Sequence, residues 1–77
     1  MSKSKHGYTT ERTTTAVNLR TGPGTKYASR GILAKRTGFQ NWCQTKNYDW
    51  AYGKVTSGQN RGKWGWVSTD YLVWVLG

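Results

Sequence analysis

The stretch WAYGKVTSGQNRGKWGWVS, residues 50–68, decides the fold. In residues 50–56, small or aliphatic side chains alternate with aromatic or charged ones, which is the period of a half-buried β-strand. A loop rich in Gly and Asn follows at 57–63, and residues 64–68 form a second extended run. The stretch therefore predicts a β-hairpin. Its first strand turns alternate side chains inward (Ala51, Gly53 and Val55) and outward (Trp50, Tyr52 and Lys54).

Similar signals divide the rest of the chain into short strands. Extended runs at 17–19, 28–34, 39–45 and 72–75 are separated by turn-forming residues. A further edge strand could begin within TTERTTT at 9–15, because Thr favours strands. Apolar residues nowhere recur with the period of a helix for long enough to indicate one. We therefore predict an all-β fold of five or six short antiparallel strands. The side chains expected inside are Val17, Leu19, Ile32, Ala51, Val55, Val67 and Leu72.

The composition limits the size and the chemistry of the core. Among 77 residues, Leu, Ile, Val and Phe number eleven, while Trp and Tyr contribute ten. Each Trp or Tyr can bury roughly 150–250 Å², so we expect a small core that is partly built from Trp and Tyr. The length allows one domain. Residues 1–12 lack periodicity and are predicted to be a flexible tail, linker or tag, which leaves 13–77 as the domain.

The balance of charge points to anionic partners. Twelve Lys and Arg against three acidic residues give a net charge of +9. Such a charge attracts polyanions, among them nucleic acid, acidic lipid and anionic wall polymers. The chain contains no run of about 18 apolar residues, so we expect no membrane insertion.

Catalytic and metal-binding chemistry has few candidates in this sequence. The only His, His6, lies in the predicted tail, and Asp49 and Asp70 lie where turns favour Asp. Alternation in the predicted strand at 39–45 places Phe39 and Cys43 on one face and Trp42 on the other, and Cys43 is expected to be a buried, inert thiol. A single Cys supplies neither an internal disulfide nor a zinc cluster. We therefore expect a protein that is not an enzyme and that uses no metal or cofactor.

Four segments, taken in order, resemble bacterial SH3 domains. They are VNLRTGPG at 17–24, GILAKRTG at 31–38, DWAYGKV at 49–55 and GKWGWVSTDYL at 62–72. The first is similar to the motif that leads into the long first loop of that family, and the last is similar to its closing segment. The chain departs from the family at 38–49, which carries Trp42 and Cys43, and at 57–63, which is longer and more basic than a minimal hairpin loop.

The resemblance implies a small SH3-like open barrel and a non-catalytic module that binds the bacterial cell wall. Domains of this family are most often attached to secreted peptidoglycan hydrolases or phage lysins. The implied ligand is peptidoglycan or its peptide cross-bridge, with anionic wall polymers as further partners. The implied location is extracellular and wall-associated, although this chain shows no signal peptide of its own. We expect the chain to be a monomer.

The resemblance also implies a peptide-binding groove. Trp50 and Tyr71 match the aromatic positions that line this groove in the wider SH3 fold. Arg20 belongs to the opening motif, where it could brace the first loop through backbone carbonyls or pair with a ligand carboxylate. Of these two roles for Arg20, the structural one is preferred.

Other aromatic residues are candidates from their position in the chain. Tyr27 and Tyr48 lie in predicted loops, where no strand requires an aromatic side chain, and loops often carry binding residues. Tyr52 and Trp64 are outward-facing candidates on the predicted hairpin. Cross-strand packing is the preferred explanation for Trp66.

Two other functions stay open at this stage. Aromatic and basic surfaces also bind single-stranded nucleic acid. That function is less favoured because the aromatic residues match no known nucleic-acid-binding cluster and the basic residues are spread along the chain. The second alternative is a free-standing, small secreted protein with antibacterial or inhibitory action on a wall target.

Overall fold

A computed structural model describes residues 2–3 and 7–75. Over these residues the chain forms eight β-strands and one 3-10 turn, and no α-helix. The strands are β1 (Ser2–Lys3), β2 (Thr9–Thr13), β3 (Val17–Arg20), β4 (Ser29–Leu33), β5 (Gly38–Gln44), β6 (Trp50–Val55), β7 (Trp64–Ser68) and β8 (Leu72–Trp74), with the 3-10 turn at Thr69–Tyr71. The all-β prediction is confirmed. The strand count is higher than the predicted five or six because β1 and β2 precede the first strand that alternation identified.

All eight strands belong to one antiparallel sheet. The strand order is β4-β3-β7-β6-β5-β2-β8, and β1 pairs with β5 beyond the end of the β2 ladder. The predicted hairpin is the β6–β7 pair, in which Ala51 lies opposite Val67 and Tyr52 lies opposite Trp66. Strands β4 and β8 are therefore the two ends of the order.

The sheet includes residues that the sequence analysis assigned to a flexible tail. Strand β2 pairs with both β5 and β8, and Glu11 at its centre is only 3% exposed. The Glu11 carboxylate accepts hydrogen bonds from Thr9 Oγ1 at 2.5 Å and from Asn41 Nδ2 at 3.1 Å. The tail prediction is wrong for residues 9–12, because their polar side chains gain partners from distant strands. His6, in the same predicted tail, lies outside the described residues.

The core is small and almost wholly aliphatic. The buried hydrophobic side chains are Leu19, Leu33, Phe39, Cys43, Ala51, Val55 and Val67. Val17 and Leu72 pack against this core while half-buried. Among the described residues, Phe39 supplies the one fully buried ring, so the prediction of a core built partly from Trp and Tyr is wrong. Cys43 is buried, as predicted.

Strand β4 reverses one predicted orientation. Ile32 was expected inside, but it is 64% exposed, whereas Leu33 is 1% exposed. The pairing of β3 with β4 shifts register between Leu19 and Arg20. The shift lies beyond Gly31, so Leu33 and Ile32 are in the regular part of the ladder, opposite Val17 and Asn18. Paired residues share a face of the sheet, and Val17 packs against the core, so Leu33 is turned inward and Ile32 outward.

A close backbone approach fixes the centre of the sheet. A Cβ atom added to Gly53 would lie 1.8 Å from the carbonyl oxygen of Gln40 and 2.9 Å from the Phe39 ring. The pairing of β5 with β6 also shifts register nearby, between Asn41 and Cys43. Only glycine at position 53 leaves room for the backbone of the paired strand β5 to come this close to β6.

The end of β2 joins distant parts of the chain through Thr13, which is 1% exposed. Its backbone N–H donates to the Thr37 carbonyl at 3.0 Å, and its carbonyl accepts from the Arg36 N–H at 2.9 Å. Its hydroxyl donates to the Ala34 carbonyl at 2.8 Å and accepts from the Thr37 N–H at 2.9 Å. These bonds hold the turn after β4 against the end of β2.

We predict that Leu33→Ala destabilises the domain far more than Ile32→Ala. The first change opens a cavity in the core and should cost about 2–5 kcal/mol, whereas the second removes an exposed side chain and should cost about 0.5 kcal/mol or less. Urea unfolding followed by Trp fluorescence measures both free energies. Equal losses for the two variants would contradict the burial of Leu33.

Candidate functional site

A groove of about 590 Å³ lies between the first loop and the hairpin strands. Its lining comes from three parts of the chain: the segment from residue 15 to 25, the start of β6 and the 3-10 turn. The lining residues are Thr15, Ala16, Val17, Asn18, Arg20, Thr25, Asp49, Trp50, Ser68, Asp70 and Tyr71. Trp50, Tyr71 and Arg20 therefore share one groove, although the sequence separates them widely.

Hydrogen bonds tie the start of β6 to the 3-10 turn and so hold Trp50 and Tyr71 together. The Thr69 N–H donates to the Asp49 carbonyl at 3.0 Å, and the Thr69 hydroxyl donates to the Tyr48 carbonyl at 2.6 Å. The Tyr71 carbonyl accepts from the Thr14 N–H at 2.8 Å. The Tyr71 side chain is 43% exposed, which leaves its ring available to a ligand.

Arg20 braces the first loop. Its Nη1 donates to the carbonyl oxygens of Thr25 at 3.1 Å and Tyr27 at 2.9 Å. The ring of Tyr27 covers Gly22 so closely that an added Cβ would lie 2.5 Å from a ring carbon. The preferred structural role of Arg20 is what these bonds show. Tyr27 packs within the loop and is not among the residues that line the groove.

The groove carries more negative than positive charge, although the chain as a whole is strongly basic. Asp49 and Asp70 line it together with one cation, Arg20. The third acidic residue, Glu11, is buried elsewhere in the sheet. Both exposed carboxylates of the chain thus lie in the groove. The sequence analysis assigned Asp49 and Asp70 to turns only. Their position next to Trp50 and Tyr71 in the chain is the feature that could have placed them in the groove.

Tyr48 lies apart from the groove lining. It occupies the turn between β5 and β6 at a φ of 63° and is 60% exposed. The left-handed backbone is uncommon for a residue other than glycine. The Tyr48 carbonyl, rather than its ring, makes the contact with the 3-10 turn.

Tyr52 and Trp64 belong to a second surface, a row of five rings on the outer face of the sheet. The row consists of Tyr8, Trp42, Trp64, Tyr52 and Trp66. Neighbouring ring centroids are 5.0, 6.1, 5.7 and 5.2 Å apart in that order. The Tyr52–Trp66 contact joins directly paired residues of β6 and β7, so the cross-strand explanation of Trp66 is confirmed.

The sequence only partly revealed this aromatic row. Alternation placed Trp42 outward, opposite to Phe39 and Cys43, and the burial pattern of β5 agrees. Tyr8 was missed because it lies in the segment predicted as a tail. The adjacency of the rings depends on strand order, which alternation does not supply.

Within the described residues, no helix is long and apolar enough to cross a bilayer. The same residues contain no group of three or more His, Cys, Asp or Glu side chains placed to hold a metal ion.

We predict that Arg20→Lys loosens the first loop. Lysine keeps the charge but does not place its ammonium where the single Nη1 atom of Arg20 donates to both carbonyls. Hydrogen bonds from a charged donor contribute about 1.5–3 kcal/mol. Amide hydrogen exchange of Thr21 and Tyr27, whose N–H groups bond within the loop, should rise at least about tenfold. Arg30→Lys, at an exposed position on β4, is the control. Unchanged exchange in the Arg20 variant would show that the loop does not need this brace.

No protein-family model, curated protein or solved structure matches this chain. The interpretation of its function therefore rests on the resemblance of its segments and on the groove and surfaces described above.

Proposed function

We propose that this chain is a non-catalytic module that binds peptide of the bacterial cell wall in the groove between Trp50 and Tyr71. The observation that carries the proposal is the meeting of these two rings in one concave site, at the positions that the SH3 resemblance assigns to peptide binding. The ligand is a peptidoglycan stem or cross-bridge peptide. The module acts outside the cell, needs no cofactor and directs an attached wall hydrolase or phage lysin to its substrate.

The fold proposed for this module is a small SH3-like open barrel. The curling of the sheet supports it, because the Thr13 hydrogen bonds bring the turn after β4 to the end of β2, five positions away in the strand order. A strongly curled antiparallel sheet buries one face around a core that a chain of this length can fill.

The charge of the groove favours a peptide that presents an amino group. Asp49 and Asp70 can accept charge-assisted hydrogen bonds from an ammonium group. Arg20 supplies one positive charge against these two negative ones, and two loop carbonyls fix the position of its Nη1. Wall peptides offer such groups as side-chain amines or as the amino ends of cross-bridges that have not been joined.

A short peptide in an open groove binds weakly, at roughly micromolar affinity. The wall presents the same peptide many times, so several modules or an attached hydrolase bound nearby raise the overall affinity. The positive charge of the whole chain concentrates it near anionic wall polymers, an effect that salt weakens.

We predict that Trp50→Ala and Tyr71→Ala each lower the affinity for purified sacculi at least about tenfold, as expected for aromatic residues at the centre of a site. Trp74→Ala is the matched control, since Trp74 is 73% exposed on β8 and lies outside the groove. Sedimentation with sacculi measures binding, and circular dichroism confirms folding. Folded groove variants that bind like the wild type would refute the proposal, as would a loss of binding confined to Trp64→Ala.

The two carboxylates lead to a separate prediction about ligand charge. The wild-type chain should bind a wall peptide with a free amine at least about threefold more tightly than the same peptide after acetylation. The double variant Asp49→Asn with Asp70→Asn should lose this preference while binding the acetylated peptide as before. Calorimetric titration of both peptides provides the measurement. A preference that persists in the double variant would place the amine elsewhere.

The aromatic row favours a second candidate function, the binding of single-stranded nucleic acid. Successive bases stack on exposed aromatic side chains in such proteins. The row gathers five rings on one sheet face, which removes the objection that the sequence shows no aromatic cluster. The first function is preferred because the described strand register places few cations opposite the row: Lys54 lies opposite Trp64, and Arg20 lies opposite Trp66 with its Nη1 bound to two loop carbonyls.

A further inference from the structure

A basic cleft of about 270 Å³ lies where the end of β2 meets the turn after β4, next to β8. It is lined by Arg12, Thr13, Thr14, Lys35, Arg36 and Val73. Three of these six residues are cations. None of the three acidic residues of the chain is among them, since Asp49 and Asp70 line the groove and Glu11 is buried.

The fold brings these like charges together. Arg12 lies on β2 opposite Val73 on β8, and the Thr13 hydrogen bonds hold Arg36 and Thr37 against the end of the same strand. Three cations that converge on one concavity repel each other unless an anion lies between them. The arrangement therefore favours a bound anionic group.

The backbone of Arg36 gives an independent indication. Arg36 has a φ of 67° in the turn closed by the bond from the Thr37 N–H to the Ala34 carbonyl at 3.2 Å. Glycine or asparagine is the usual residue at such a position, because a larger side chain is strained there. The turn alone does not explain an arginine, whereas a role for its guanidinium in the cleft does.

We propose that this cleft binds the phosphate groups of an anionic wall polymer of the polyol phosphate type. Guanidinium groups bind phosphate with paired hydrogen bonds, and two arginines line this cleft together with one lysine. The exposed hydroxyl of Thr14 lies in the same lining. Nucleic acid fits the cleft less well, because its lining holds no ring on which a base could stack.

This site is separate from the peptide groove in place and in chemistry. The two are neighbours, because Thr14 lines the cleft and its N–H bonds the carbonyl of Tyr71, which lines the groove. A wall that displays both peptide and polyol phosphate would thus be held at two points of one small domain. Two linked weak contacts bind more tightly than either does alone.

The test compares two double variants that lose the same charge. Arg12→Gln with Arg36→Gly changes the cleft, whereas Arg30→Gln with Arg61→Gln removes two exposed arginines that lie outside its lining. Glycine also relieves the strained backbone at position 36, so the cleft variant should fold at least as well as the control. Thermal unfolding checks this point.

Calorimetric titration with poly(glycerol phosphate) should show at least about a tenfold loss of affinity for the cleft variant and about threefold or less for the control. Equal losses in both variants would overturn the proposal, because they indicate attraction by the general field. Absence of binding to the wild type would do the same. A single-stranded oligonucleotide of equal charge is the third arm. A loss of oligonucleotide affinity in the cleft variant larger than the loss for the polyol phosphate would also overturn the assignment.

Discussion

The hydrogen bonds of one buried threonine hold this structure together. Thr13 uses its N–H, its carbonyl and its hydroxyl to bind residues 34–37. These residues come directly after β4 and more than twenty positions after Thr13 in the chain. The next residue, Thr14, bonds the carbonyl of Tyr71. A buried polar group must be paired to avoid a large penalty, so this arrangement of chain segments is strongly specified. It places Tyr71 in the groove on one side and Arg36 beside Arg12 on the other.

The division between core and surface follows from the small size of the domain. Seven buried hydrophobic residues fill the interior, and the close approach of strands at Gly53 leaves little space for wide side chains. Five of the ten Trp and Tyr residues therefore pack against each other in the aromatic row on the outer face. Contacts such as Tyr52 with Trp66 stabilise the sheet from outside, where aromatic pairs contribute beyond the area they bury.

The uneven distribution of charge gives the domain two concave surfaces of different charge. The exposed carboxylates lie in the aromatic groove, and three cations meet in the cleft near β8. A net charge of +9 suggests only attraction to polyanions. The folded chain instead presents an acidic site and a basic site next to each other, which suits a surface that offers amines and phosphates together.

Alternation of side chains in the sequence was sufficient to predict the all-β class, the β6–β7 hairpin and the inward face of β5. The resemblance to SH3 domains, rather than alternation, predicted that Trp50 and Tyr71 line a groove, and the fold brings the two into one lining. Only the tertiary structure decided that Leu33 rather than Ile32 is buried, because the pairing with β3 places Leu33 opposite the inward-facing Val17 and Ile32 opposite Asn18. It also decided that residues 9–12 join the sheet, and that Asp49 and Asp70 face the groove. These features depend on contacts between residues far apart in the chain, and local periodicity carries no information about such contacts.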